Sequence, residues 1–377
     1  MSTGNQFDPN MGMFREVKIC AEEVDGAALL NEIYDLLRRH AVADPETLWA
    51  ATLWTAHSWC MDSQTISPIA LITAPEKRCG KTVLLMAMSR LVCRPLPASN
   101  ISPAAIYRCI ERYKPTLLLD EADTYLGRNA DIRGLINSGL YHESAFVMRA
   151  AEGRTGLAHY STWAPKVICG IGRMAETLED RSIPLRMRRK APDEVVENIR
   201  NSDDAQWSRM HPQLARWACD HAEHLKHANP ESVPGLNDRA QDCWSPLLAI
   251  ADLAGGEWPT RARQAARVLN AGRDIPSIGT ELLGEVRDIF TLLETGRISS
   301  RALLERLSTN DGGVWSCMSQ ARKMTVRDLG IQLGAFGVHP KTLRLASGER
   351  AKGYDLSDLQ EPFRCYLPPV ETEEADA

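Results

Sequence analysis

The sequence predicts an α/β fold in which helices flank a parallel sheet, and three stretches carry that expectation. Ile69–Ile72 is an apolar run that passes through a short loop, ending Gly80-Lys81-Thr82, into a second apolar run. Thr116–Leu119 is also apolar and ends on the acidic pair Asp120-Glu121. Lys166–Ile171 is the third. Short apolar runs without polar alternation suit strands covered on both faces, as the strands of parallel sheets are.

Composition sets the frame. At 377 residues the chain is long enough for more than one core. Its 44% hydrophobic and 25% charged residues are ordinary for a globular protein. A formal charge of −5 excludes a globally basic nucleic-acid coat and leaves room for a local basic patch. No apolar stretch reaches membrane-span length, so no membrane partner is expected. Ten cysteines without a CxxC spacing, in a chain without a signal peptide, read as reduced thiols of a cytoplasmic protein. His211, His221, His224 and His227 share a polar segment and read as a solvated helix face rather than a zinc site.

Taken in order, residues 1–15 are expected to be disordered, and residues 16–66 form a helical lead-in. Leu29, Leu30, Ile33, Leu36 and Leu37 recur at helical spacing within Glu23–Arg38, and Pro45 suits the first turn of a second helix over Asp44–Cys60. Trp49, Leu53, Trp54 and Trp59 are packing residues of that lead-in.

Residues 67–190 form the core domain, and its loop is the first functional candidate. A strand, a loop and a helix beginning at Gly80-Lys81-Thr82 are the context of a phosphate-binding loop. Backbone N–H groups at the helix start face an anion there. Lys81 reaches the terminal phosphates of ATP, and Thr82 offers its hydroxyl to Mg2+. The nucleotide-binding set is therefore Pro75, Glu76, Lys77, Arg78, Cys79, Gly80, Lys81 and Thr82. Pro75 stands where the usual pattern has glycine, and it fixes φ and removes a donor. The bland alternative is a polar strand-to-helix connection without a ligand.

The helix Lys81–Leu91 is expected to end before Pro95 and Pro97, and Ser102 caps a helix over Ala104–Tyr113. Asp120, 38 residues after Thr82, then sits where P-loop NTPases place a metal-supporting aspartate. Glu121 is assigned the general-base or water-positioning role, while Asp123 is a weaker candidate that caps the next turn. Catalysis is thus assigned to Glu121 and Lys81, and the metal to Thr82 and Asp120.

Further along, Asp131–Gly139 reads as a short helix. Phe146–Arg149 reads as a hairpin arm and Glu152–Gly156 as its tip. Arg149 and Arg154 would meet DNA phosphates on that hairpin, or else decorate a solvated loop. Arg173, after the strand Lys166–Ile171, is the nearest polar candidate for a γ-phosphate sensor. Ile183, Leu185 and Met187 alternate as a half-buried strand with arginines on its open side. Arg181, just before it, is a candidate arginine finger toward a neighbouring subunit, which implies a homo-oligomer; a solvated basic face is the rival.

Residues 191–273 read as a helical lid or linker. Residues 274–368 read as a winged-helix-like domain built from Thr280–Glu294, Ala302–Leu307, Thr325–Leu333, a short helix Thr342–Leu345 and a basic glycine loop. Lys341, Arg344, Arg350 and Lys352 are its candidate DNA contacts, with a protein-docking or structural unit as the alternative. Residues 369–377 form an acidic tail.

Five segments also carry a family resemblance: Ala74–Thr82, Leu117–Asp123, Gly170–Arg173, Leu178–Met187 and Lys352–Leu356. Together they resemble the bacterial domain-of-unknown-function 3631 (DUF3631) family, over about Asp44 to Leu367. That resemblance implies an ATPase module of phage, plasmid and integrated-element replication proteins, within the AAA+ and helicase-like P-loop NTPases of the additional-strand type. It also implies that Pro75 is the family's own form of the loop, and that a primase or another replication protein is a partner. The expectation is Mg-dependent ATP hydrolysis coupled to DNA remodelling or helicase-type translocation. A nucleotide-switched adaptor, or a DNA-binding module with a structural ATP site, are the rival readings.

Overall fold

The computed structural model describes residues 14, 16–98, 101–125, 129–150, 156–172, 174–271, 278–309, 324–345 and 348–367. Nearly all of residues 1–15 and all of 369–377, as well as Arg154 and Arg173, lie outside them. The chain divides into two compact units, Met1–Ala271 and Gly272–Ala377.

The first unit opens with α1 (Gly26–His40) and α2 (Pro45–His57). Asp25 starts α1 by accepting from Ala28 N at 2.9 Å. Apolar residues on almost every side of α2 make it an interior helix; Trp54 is fully buried, and its indole N–H donates to Pro68 O at 2.8 Å.

The core follows as β1 (Ile69–Ala74), α3 (Lys81–Ser89), β2 (Pro95–Ala98), α4 (Pro103–Tyr113), β3 (Thr116–Leu119), α5 (Ala122–Tyr125) and α6 (Ala130–Asn137). Next come β4 (Phe146–Ala150), β5 (Leu157–Ser161), β6 (Lys166–Ile171), α7 (Glu176–Glu179) and β7 (Ser182–Arg186). Five of these strands form one parallel sheet in the order β2-β3-β6-β1-β7, and β4 and β5 pair as a separate antiparallel ribbon.

Strand alternation divides the core between the sheet's two faces. Ala70, Ile72, Leu118, Val167, Cys169, Ile183 and Leu185 join one cluster. Ile69, Leu71, Leu117, Leu119 and Ile168 join another with α4 and α6. The expectation of two-sided burial therefore holds. It corrects the reading of β7, where Ser182–Leu185 are all buried and only Arg186 is exposed. The helix after the loop ends at Ser89, before Pro95 and Pro97, and Pro95–Ala98 itself forms β2; proline's missing donor is tolerated because this strand is at the sheet's edge.

Residues 191–273, expected as a lid, hold α8 (Asp204–Ser208), α9 (Met210–Asp220), α10 (Ala222–Lys226), α11 (Asp238–Ala254) and α12 (Trp258–Asn270). Trp207, Trp217, Trp244 and Trp258 from these helices belong to the same buried cluster as α1, α2 and one sheet face. This segment and the lead-in together cover that face of the sheet.

The second unit runs α13 (Ile278–Leu292), β8 (Arg297–Ser299), α14 (Ser300–Thr309), α15 (Val326–Gly334), β9 (Lys341–Arg344), β10 (Arg350–Asp355) and α16 (Leu356–Tyr366). Its strands form an antiparallel sheet in the order β8-β10-β9. The short helix expected at Thr342–Leu345 and the expected glycine loop are instead the two arms of a hairpin. Leu343 turns into the core while Thr342 and Arg344 face out, which is strand periodicity. Gly353 lets β10 approach β8, since a Cβ there would clash with the carbonyl oxygen of Ile298.

Candidate functional site

The carboxyl ends of β1 and β3 lie on the same edge of the parallel sheet, with the end of β6 between them. This edge gathers the loop 75–80, the start of α3, and Asp120-Glu121. Pro75–Arg78 are exposed and Cys79 is buried. Gly80, at φ +80°, begins α3 from the left-handed region that a side chain disfavours. Arg78 and Glu121 adopt that region too, at φ +65° and +53°, and so carry local backbone strain beside the same edge.

Thr82 Oγ1 donates to Asp120 Oδ2 at 3.2 Å, bridging the loop helix and the acidic strand. Asp120 Oδ1 accepts the backbone N–H of Glu121 at 2.9 Å, so both carboxylate oxygens are held. Lys81 Nζ donates to Glu76 O at 3.1 Å. Cys169 on β6 senses this convergence. Burial pushes its thiol pKa up, the charge of Asp120 pushes the same way, and Lys81 opposes. Glu121 is exposed. Asp123 is near as well, because a Cβ on Gly170 at the end of β6 would lie 3.5 Å from Asp123 Oδ1.

Arg181 is not part of this edge. The parallel register pairs Ile69 with Ser182 and Thr73 with Arg186, so Arg181 precedes β7 at the sheet's amino edge. Its carbonyl accepts from Ile69 N at 3.0 Å, and its Nη1 donates to Thr177 O at 2.8 Å. The length of β1, roughly 20 Å at ~3.3 Å per residue, separates it from the loop.

The nucleic-acid candidates also divide. Arg149 is half-buried, with its guanidinium over the Tyr107 ring at 5.8 Å and Nη1 on Met148 O at 3.2 Å; the ribbon instead exposes Phe146, Met148 and Leu157. In the second unit, Arg344 faces Arg350 across the hairpin and Lys352 follows on the same exposed side. Lys341 takes the other side and pairs with Asp358 at 2.6 Å.

Sequence reading passes over Arg189, which approaches the loop at Glu76 with Nη2 to Oε2 at 3.5 Å. It is hidden in the cationic run Arg186–Lys190, where no local pattern distinguishes it from its neighbours. Among the described residues no group of three or more His, Cys, Asp and Glu side chains is arranged to hold a metal, and no helix is long and apolar enough to cross a membrane.

Residues 186–366 match the family described as Protein of unknown function (DUF3631). The match covers β9, β10 and the Lys352–Leu356 motif but not the loop or the acidic pair, so it is narrower than the resemblance drawn over 44–367. An uncharacterized 28.9 kDa protein in the xis 5′ region of Saccharopolyspora erythraea is 34% identical over 186 residues, which are 48% of this chain and 69% of that protein. Among solved structures, the A form apo structure of the NrS-1 C-terminal region is 14% identical at TM-score 0.43, covering 93% of this chain and 79% of that one. The structure of Drosophila ORC bound to DNA is 11% identical at TM-score 0.23, covering 95% and 96%. Neither structural likeness is near enough to fix a fold. The sequence matches do establish kinship: the chain belongs to the DUF3631 family.

Proposed function

We propose that this chain is a Mg2+-dependent ATPase of the P-loop class, coupled to DNA remodelling or helicase-type translocation in the replication of a mobile element. The observation that carries the reading is the hydrogen bond from Thr82 to Asp120 at the carboxyl edge of a parallel sheet. Strand order supports it, since one strand, β6, stands between the loop strand and the acidic strand, as in additional-strand P-loop NTPases.

The residues suit the ligands. A hydroxyl and a carboxylate within hydrogen-bond distance are an all-oxygen donor pair, and Mg2+ takes few protein ligands when phosphates and waters complete its shell. Bound there, Mg2+ would neutralise phosphate charge. Gly80 and the first turn of α3 cradle phosphate oxygens, Lys81 exchanges the Glu76 carbonyl for a phosphate, and Glu121 orients the attacking water. Arg181 acts only from a second copy, which makes the active form a homo-oligomer. The exposed cations of β9 and β10 suit the wing of a winged helix on DNA phosphates. The mobile-element setting and a primase or other replication partner rest on the family resemblance, and a relative named from the xis 5′ region accords with that setting.

The test is phosphate release from ATP by the wild-type chain with and without Mg2+, and with and without single-stranded or duplex DNA. Glu121→Gln is expected to lower turnover about 10²-fold or more while nucleotide affinity changes little, and Lys81→Ala to abolish binding. Wild-type turnover no faster than that of Lys81→Ala would overturn the reading.

A further inference from the structure

The chain beyond β7 keeps following β1. Met187 N donates to Thr73 O at 2.7 Å, and Met187 bridges Ala43 on its other side. The two arginines that follow Met187 take different partners, Arg188 pairing with Asp44 and Glu194 and Arg189 with Glu76. Met187 is buried against the loop, where a Cβ on Gly80 would come within 3.6 Å of its Cε. Two residues on, the Arg189 guanidinium stands beside the Glu76 carboxylate.

Arg188 ties this segment down through Glu194 and Asp44. Its Nη1 and Nη2 donate to the two oxygens of Glu194 at 2.7 and 2.6 Å, and its Nε donates to Asp44 Oδ1 at 3.0 Å. The Arg188 guanidinium and the Ala191 N–H hold the Glu194 carboxyl down at about 2, so the clamp stays ionised through the neutral range.

Glu76 is an acid in a loop read as a phosphate cradle, and a carboxylate beside a triphosphate repels it. Two cations lean on this one residue: Lys81 through its carbonyl and Arg189 through its carboxylate. The Arg189 side chain is 66% exposed, so moving it disrupts no packing. Resting on the nucleotide reading of the loop, we infer that Arg189 is a positioning residue for the nucleotide phosphates. An entering phosphate competes with Glu76 for the guanidinium, and Arg189 transfers from carboxylate to phosphate. Its planar fork suits two phosphate oxygens at once, which lysine's single point charge does not.

The experiment titrates the full-length chain with fluorescent ATP and ADP analogues, as wild type, Arg189→Ala, Arg189→Lys and Glu76→Gln, with melting temperature as the folding control. Loss of a charge-assisted hydrogen bond predicts roughly tenfold weaker ATP binding in Arg189→Ala, with Arg189→Lys between the two. Glu76→Gln is expected to bind ATP about threefold more tightly, because the competitor is gone. A purely structural ion pair predicts a loss in both variants, since either breaks it, and matching losses would overturn the inference. So would wild-type affinity in Arg189→Ala. A wild-type chain that binds neither nucleotide overturns the nucleotide reading itself, and this inference falls with it.

Discussion

Thr82 and Asp120, 38 residues apart in sequence, meet through a 3.2 Å hydrogen bond across the width of one intervening strand. A polar strand-to-helix connection without a ligand has no need of an acid from a non-adjacent strand. The proposed phosphate-loop reading rests on this pairing.

It also yields a metal prediction. Thr82→Val and Asp120→Asn each remove one oxygen donor from the pair without enlarging either side chain. Each is expected to raise the Mg2+ concentration for half-maximal ATP hydrolysis by about tenfold or more. A magnesium titration of turnover reads this directly. An unchanged midpoint in both variants would remove these residues from the metal's surroundings.

Lys166 supplies a prediction about pH. It is fully buried at the start of β6, with Nζ donating to Thr162 O at 3.1 Å and Ala164 O at 2.8 Å. Burial lowers its pKa from 10.5 to about 7. Between those values the unfolded chain binds the proton that the folded chain has lost, so stability rises with pH across this window. Below about pH 7 both states are protonated and the cost of burying the charge is fully present. Urea unfolding at about pH 7, 8 and 9 should show a rise approaching ~1.4 kcal/mol per pH unit at its steepest, set against the contributions of other groups. Lys166→Met should flatten it. A slope that survives in Lys166→Met would assign the rise to another group.

The parts legible in the sequence are those that local chemistry writes down. Ile69–Ile72 and Thr116–Leu119 announce buried strands because no charged residue interrupts them. The pairing of Thr82 with Asp120 follows from the kinds of residue at two strand ends. Non-local pairing is harder to read. Pro95–Ala98 carries two prolines and becomes a strand only because β3 offers an edge. Thr342–Arg344 becomes a strand through pairing with β10, which no local pattern near it specifies. Arg181 and Arg189 belong to one basic stretch, yet they lie at opposite edges of the sheet. Only the register of β7 against β1 tells them apart.

On DNA, the hairpin of the second unit predicts a graded effect. Arg344 and Arg350 are cross-strand neighbours, a like-charge arrangement that costs stability unless an anion covers it. Removing one cation that neutralises a phosphate should shallow the slope of log affinity against log salt by about 0.9 on duplex DNA. Arg344→Ala and Arg350→Ala are each expected to shift it by that amount. Lys341→Ala should leave it unchanged, because Asp358 holds that ammonium at 2.6 Å. Fluorescence anisotropy across a salt series distinguishes the three, and equal effects from all of them would reduce the hairpin's contribution to general charge.

Arg181 makes the sharpest demand on assembly. At the amino edge of the sheet it is a strand's length from Lys81 and Asp120 of its own chain, so any contribution to hydrolysis has to cross to another copy. Arg181→Ala should then bind nucleotide normally and turn over poorly, whereas Lys81→Ala should not bind at all. Mixed in equal amounts, the two inactive variants create some interfaces in which an intact loop faces an intact arginine. Random assortment in a closed ring makes that about a quarter of all sites, and activity should recover to about that share. Loss of the hydrogen bond to Thr177 O is the competing explanation for a slow Arg181→Ala, and it predicts a lower melting temperature and no recovery on mixing. A mixture as inactive as its components would place the arginine outside catalysis, leaving the Thr82–Asp120 site to be completed by something other than a second copy of this chain.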